Sequence, residues 1–220
     1  MLRIAIDGTA SAGKGSIAKG VARSLNIAYV DTGAMYRSIA LLVLEADKDC
    51  HNIIDVLSVL DGISFGFTWN GAVLDVSLNN RDVSGLIRTK EVGAMASVVS
   101  VYPEVRSKLF EIQQEYANSE SLVMDGRDIG TVIIPNAELK VFVDADVNER
   151  ARRRCMELQA KGESVNVEDI AADLRERDHR DRNRPIAPLK RADDAKLLDT
   201  TTLTIEQGIA KILSWVEVLS

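Results

Sequence analysis

Apolar and polar positions along the chain change period several times. The run Leu2-Arg3-Ile4-Ala5-Ile6 is short and apolar and predicts a buried strand. Behind it, residues 14–25 place Ile17, Val21 and Leu25 on one stripe at helical spacing. Residues 26–30 predict a second short strand ending at Asp31, and 33–44 a second helix. Further on, 122–124, 139–143 and 195–199 predict strands that end at Asp125, Asp144 and Asp199, and 204–218 an amphipathic closing helix. Strands alternating with helices build a parallel sheet covered on both faces. Ligands of such sheets gather at the carboxyl ends of the strands, where several of these aspartates fall.

One segment breaks the alternation. Residues 63–67 and 72–76 predict short strands about Asn70-Gly71, a pair that favours a tight hairpin turn, and 79–83 a third strand. With the helix that follows, this antiparallel unit reads as an insertion over about 60–97, either a stabilising flap or an acceptor-binding lobe.

Composition narrows the class. The chain has 220 residues, enough for one domain with a small inserted lobe. Its net charge of −6 weighs against a protein built to coat nucleic acid. Cys50 and Cys155 stand far apart, in no metal-ligand spacing, which predicts a reduced, cytoplasmic protein. The chain opens directly into its first strand, so no signal peptide is expected, and no apolar run approaches the ~20 residues needed to span a bilayer. No coiled-coil pattern or long apolar surface run argues against a monomer.

The first constellation with chemistry is Gly8-Thr9-Ala10-Ser11-Ala12-Gly13-Lys14-Gly15-Ser16, between a strand and a helix. Two glycines five apart let successive backbone N–H groups turn inward on an anion. Lys14 adds a point charge for the β- and γ-phosphates of a triphosphate, and the helix start adds its dipole. The strict pattern has Ser or Thr directly after Lys; here Gly15 intervenes and Ser16 follows, a form seen in kinases of small nucleotides, where that hydroxyl holds Mg²⁺. Nothing in the chain suggests covalent catalysis, and His51 and His179 have no triad or metal partner in view.

Three further segments supply charge. In 31–37, Asp31 or Thr32 caps a helix, and Arg37 stands one turn in, within reach of an acceptor phosphate. In Asp125-Gly126-Arg127-Asp128-Ile129-Gly130-Thr131, Arg127 offers a planar fork for phosphate oxygens, and Asp128 can accept from a sugar or a base amino group. In residues 175–185, Arg177, Arg180, Asp181 and Arg184 fall within an arc of roughly 100°, with Arg175 and Arg182 opposite. Arg184 precedes Pro185, which turns it away from helical geometry. Arg150, Arg153 and Arg154 form another cluster before Gly162; a short lid over about 150–166, with Arg150 and Arg154 facing the triphosphate, is one reading and ordinary helix surface the other.

Together with Val83-Ser84-Gly85-Leu86-Ile87-Arg88-Thr89 and Asp199-Thr200-Thr201-Thr202, these motifs stand in the order and spacing of bacterial cytidylate kinases, which the chain resembles nearly end to end. The resemblance implies a three-layer α/β P-loop NTPase core with a central parallel sheet, an inserted small antiparallel lobe that helps bind the nucleoside monophosphate, and a short lid. It implies transfer of the γ-phosphoryl group of ATP, with Mg²⁺, to CMP or dCMP. Residue by residue, it makes Ser97, Arg106 and Asp128 readers of the cytosine edge. Arg177 and Asp181 become ribose contacts, and Arg37, Arg127 and Arg184 hold the acceptor phosphate. Thr32 stands where the family often has Ser and keeps the hydroxyl role. Lys14, Arg127 and Arg184 are then the catalytic charges, 8–16 the ATP loop, and Ser16 the metal ligand. The rivals are a kinase for another small acceptor and, with less support, a regulatory NTPase.

Overall fold

The structure is a computed structural model and describes residues 1–70 and 73–219. In chain order its elements are β1 (Arg3–Gly8), α1 (Lys14–Leu25), β2 (Ala28–Asp31), α2 (Thr32–Glu45), α3 (Ile53–Leu57), β3 (Phe65–Asn70), β4 (Val73–Leu78), β5 (Arg81–Asp82), α4 (Lys90–Val99), α5 (Pro103–Ser119), β6 (Leu122–Gly126), β7 (Leu139–Asp144), α6 (Val147–Gln159), α7 (Val167–Asn183), β8 (Lys196–Asp199) and α8 (Ile205–Glu217). A 3₁₀ turn covers Leu86–Arg88 and a π-helical turn Ile129–Ile133.

The chain divides into two compact units, residues 1–29 with 119–220, and residues 30–118. The first is built on a five-stranded sheet in the order β2-β6-β1-β7-β8, the boundary between units falling inside β2. β1 pairs in parallel with β6 (Ile4 opposite Val123) and with β7 (Ile6 opposite Val141), and β7 in parallel with β8. Ile4, Ala5 and Ile6 are fully buried, as the centre of a sheet covered on both faces requires. α8 carries Gly208 where a Cβ would crowd Ile17 of α1, and α1 carries Gly20 where one would crowd Ile209. α6 and α7 close over Ala151, Cys155, Leu158, Ile170, Ala171 and Leu174. Both cysteines are buried free thiols.

The second unit holds a three-stranded antiparallel sheet, β3-β4-β5, and helices α2 to α5. The Tyr116 hydroxyl of α5 donates to the Phe65 carbonyl at 2.7 Å, and the Phe67 and Tyr116 rings meet edge to face at 5.5 Å. The first hairpin strand begins later than its pattern predicts, at 65 rather than 63; the second is described from Val73, and the third is only Arg81–Asp82. Alternation fixes which side chains share a face but leaves strand ends to the turn. Gly71 of the expected turn pair, and Ala72 after it, lie outside the described residues.

Candidate active site

The donor loop is folded by close approach. Gly8 has φ +151°, and a Cβ there would collide with the Val143 carbonyl of β7. Only glycine lets β1 run against β7 and then turn. Ser11 (φ 61°) and Gly13 (φ 81°) adopt left-handed geometry, and α1 starts at Lys14 with no side-chain cap, so its first N–H groups face the loop. The loop carbonyls are tied from behind: Thr200 Oγ1 donates to Ala12 O at 2.9 Å and Arg150 Nη1 to Ala10 O at 3.0 Å. Thr9 Oγ1 donates to Asp144 at 2.7 Å. With the carbonyls drawn outward, the N–H groups of the loop are of the kind that can receive an anion.

Lys14 donates to Asp125 Oδ2 at 2.6 Å, while the Tyr29 hydroxyl donates to Asp125 Oδ1 at 2.6 Å. Asp125, the penultimate residue of β6, is nearly buried, and a Cβ on Gly15 would stand 3.9 Å from it, so this carboxylate lies directly beneath the start of α1. The exposed Ser16 hydroxyl is on the same first turn. A hydroxyl and a nearby carboxylate are the hard oxygen donors Mg²⁺ takes beside substrate phosphates. Among the described residues no cluster of three or more His, Cys, Asp or Glu could hold a metal alone.

Just beyond Asp125 the loop carries two ion pairs, the first partly buried and the second buried. Arg127 Nε donates to Asp181 Oδ2 of α7 at 2.8 Å, and Arg184 Nη2 to Asp128 Oδ1 at 3.0 Å. Burial alone would raise the Asp181 carboxyl, but the charge and hydrogen bond of Arg127, with Arg177 and Arg184 nearby, hold it below the usual carboxylate range. Arg184 is extended (φ −62°, ψ 141°), as the residue before Pro185 must be, and its Nε donates to Ala187 O at 2.7 Å. Arg127, Asp128, Asp181 and Arg184 thus lie together at one strand end of the first unit, with the charge of Arg177 felt at Asp181. Arg180, expected on the same face, pairs with Glu176 one turn back on the helix at 3.0 Å.

The remaining expected residues belong to the second unit. Asp31 caps α2 by accepting from Ala34 N at 2.9 Å and binds Arg37 Nη2 at 2.9 Å; Thr32 beside it is buried. Arg106 and Ser97 are both buried, and Arg106 Nη1 donates to Ser100 O at 3.3 Å with its guanidinium 5.7 Å from the Tyr36 ring centroid.

Of the two arginines considered for a lid, Arg150 is only 3% exposed and spends its guanidinium on Ala145 O (2.9 Å), Ala10 O and Asp178 (2.6 Å). Arg154 is half-exposed and paired with Glu157. A cleft of about 530 Å³ opens beside Arg150, lined also by Asp144, Arg175, Asp178 and Arg182. Sequence reasoning gave no role to Asp7, Asp178 or Thr200, the last two standing only inside longer motifs. Asp7 carried a signal, an acid closing an apolar strand, but its partners stand more than a hundred residues away.

Fold and loop define a P-loop α/β protein of the small-kinase type. The same fold is found in the shikimate kinase of Bacteroides thetaiotaomicron (TM-score 0.51, 13% identity, 98% of each chain) and in an uncharacterized protein from Eubacterium ventriosum (TM-score 0.55, 13% identity, 99% of each chain). The cytidylate kinase family model matches residues 4–218, and the chain belongs to that family. Relatives include the cytidylate kinase of Mannheimia succiniciproducens (46% identical, 97% of this chain and 95% of that one). Cytidylate kinase 1 of Haemophilus influenzae (44%, 97% and 93%) and the cytidylate kinase of Bacillus cereus (45%, 97% and 95%) are similar over the same span.

Proposed function

We propose that the protein transfers the γ-phosphoryl group of ATP to CMP and dCMP, giving CDP or dCDP and ADP. One observation carries the reading: the end of β6 holds the Lys14 partner, Asp125, and two residues later Arg127, so donor lysine and acceptor arginine are set from a single rigid strand end. Two anions that must approach each other need their repulsion offset by fixed positive charge, which a strand end supplies without reorganisation.

In this reading residues 8–16 cradle ATP, and Lys14 sits on its terminal phosphates. Mg²⁺, held by Ser16 and the nucleotide, neutralises phosphate charge when bound. Arg37, Arg127 and Arg184 hold the acceptor phosphate in line. Arg177 and Asp181 take the ribose, and Ser97, Arg106 and Asp128 take the cytosine edge, with Thr32 close to the phosphate. The nucleophile is already a phosphate oxygen, so no general base is assigned. Residues 60–97 act as the monophosphate-binding lobe and 150–166 as a short lid, where Arg154 has a side chain partly exposed to reach the donor and Arg150 works from beneath the loop. Among the described residues no helix is long and apolar enough to cross a membrane; we place the enzyme in the cytoplasm as a monomer.

A coupled ADP-release assay across CMP, dCMP, UMP and AMP tests the proposal. CMP and dCMP should lead clearly. ATP hydrolysis independent of any acceptor would sink the kinase reading, and preference for another acceptor would keep the reaction while changing the substrate.

A further inference from the structure

Asp128 is the N-cap residue of the π-helical turn Ile129–Ile133, yet its side chain makes no cap hydrogen bond. An aspartate at that position ordinarily accepts from the N–H groups of the turn it precedes. Here those groups are taken from elsewhere. Ile129 N donates to Asp7 Oδ1 at 2.7 Å and Gly130 N to Asp7 Oδ2 at 2.8 Å, two consecutive donors on the two oxygens of one carboxylate. Asp128 is turned instead to Arg184.

We propose that Asp7 is a positioning residue: by capping the turn in place of Asp128, it keeps the Asp128 carboxylate on the acceptor side, where it reads the cytosine amino group. The inference rests on the assignment of Asp128 to the base.

Four features support it. Asp7 is a strand residue, opposite Gly126 of β6 and Phe142 of β7, so its direction is fixed by the sheet. It is only 5% exposed, and the two N–H bonds are what a buried carboxylate requires. At Gly130 a Cβ would stand 3.4 Å from Asp7 Oδ2 and 3.2 Å from the Lys140 side chain, so the backbone of the turn packs directly against both. Asp7 holds the second N–H of the turn, one of the two an N-cap carboxylate accepts, while Asp128 Oδ1 is paired with Arg184. Of the charges around Asp7, Asp128 repels it and Lys14 attracts it, while Lys140, packed on Gly130, is tied to Asp194 at 2.8 Å. Burial dominates and lifts the Asp7 carboxyl to about 6, partly offset by the two N–H bonds, so it is ionised at neutral pH.

Asp7→Asn keeps the shape but turns an amide N–H₂ toward one of the two N–H groups, which frees the turn to recruit Asp128. In this variant the ratio of kcat/KM for CMP over UMP should fall about tenfold, with KM for ATP within about twofold of wild type. Asp128→Asn should lower the same ratio at least as far. If Asp128→Asn lowers it and Asp7→Asn does not, the role of Asp7 is overturned and the base assignment stands. If neither moves it, the base assignment falls and the inference with it. A readout on the intact wild-type protein covers a variant that does not fold. In hydrogen exchange at pH 7.5 the amides of Ile129 and Gly130 should be protected together, as two N–H groups held by one buried carboxylate; exchange at the rate of open amides would overturn the proposal.

Discussion

At the scale of single residues, Gly8 and Gly85 make opposite demands. A methyl group at Gly8 meets the Val143 carbonyl, and its φ of +151° is unfavourable for any side chain. At Gly85 (φ −76°) nothing stands within 4 Å. Gly8→Ala should therefore cost about 3 kcal/mol or more in urea unfolding, because strand pairing must open to admit the methyl. Gly85→Ala should be neutral or stabilising by about 0.5 kcal/mol, through the unfolded chain. Equal effects at the two sites would refute the argument from close approach. Asp181 poses a chemical question rather than a steric one. If it meets the 2′-hydroxyl, Asp181→Ala should weaken use of CMP more than of dCMP in parallel kcat/KM measurements. An identical loss with both would remove its sugar role and leave it the partner that orients Arg127.

Among the elements, α8 shows how local sequence signals become stability. Thr204 Oγ1 accepts from Gln207 N at 3.2 Å and Gln207 Oε1 from Thr204 N at 2.9 Å, a complete capping box. Thr204→Ala should lower stability by about 1 kcal/mol, read as a fall in Tm of about 2–4 °C. Signals of this kind are why so much of the fold was readable in the sequence. α1 begins and ends where its apolar stripe predicts, and the strands that carry Asp125, Asp144 and Asp199 lie within two residues of their apolar runs. What periodicity could not reach was long-range pairing. Arg150 looks like one of three surface arginines until the carbonyls of Ala10 and Ala145 and the carboxylate of Asp178 converge on it. The helical arc gave Arg180 a direction but not its ion pair with the exposed Glu176 one turn back. The π-helical turn after Asp128 has no sequence signal of its own, because its cap is supplied from β1.

For the whole molecule, the charge network sets the response to acid. Glu138 is held at about 2 chiefly by its hydrogen bond to Arg3, and Glu149 at about 2 chiefly by its hydrogen bond to Arg152. Their folded values lie below the unfolded value of 4.5, so the stability they contribute is present above about 4.5 and lost as pH falls toward 2. Asp7 has the opposite sign: raised from 3.8 to about 6, it favours the folded state below 3.8, and that contribution is lost as pH rises through 6. Urea-unfolding stability should therefore decline from pH 4.5 to 2, and Glu138→Gln should make the decline shallower. A variant as steep as wild type would show that the Arg3 pairing carries no acid sensitivity.

The strand order has one more effect, on the birth of the protein. β1 lies between β6 and β7, so Arg3 waits for Leu122 and Ile4 for Leu139. On a ribosome adding 5–20 residues per second, that wait is on the order of ten seconds. The loop behind β1 waits longer still, since the groups that draw its carbonyls outward are Arg150 and Thr200. The first motif to be translated is therefore among the last to take its working shape. A nascent chain stopped short of residue 200 would carry the complete phosphate-binding sequence without one of the anchors that makes it a phosphate-binding loop.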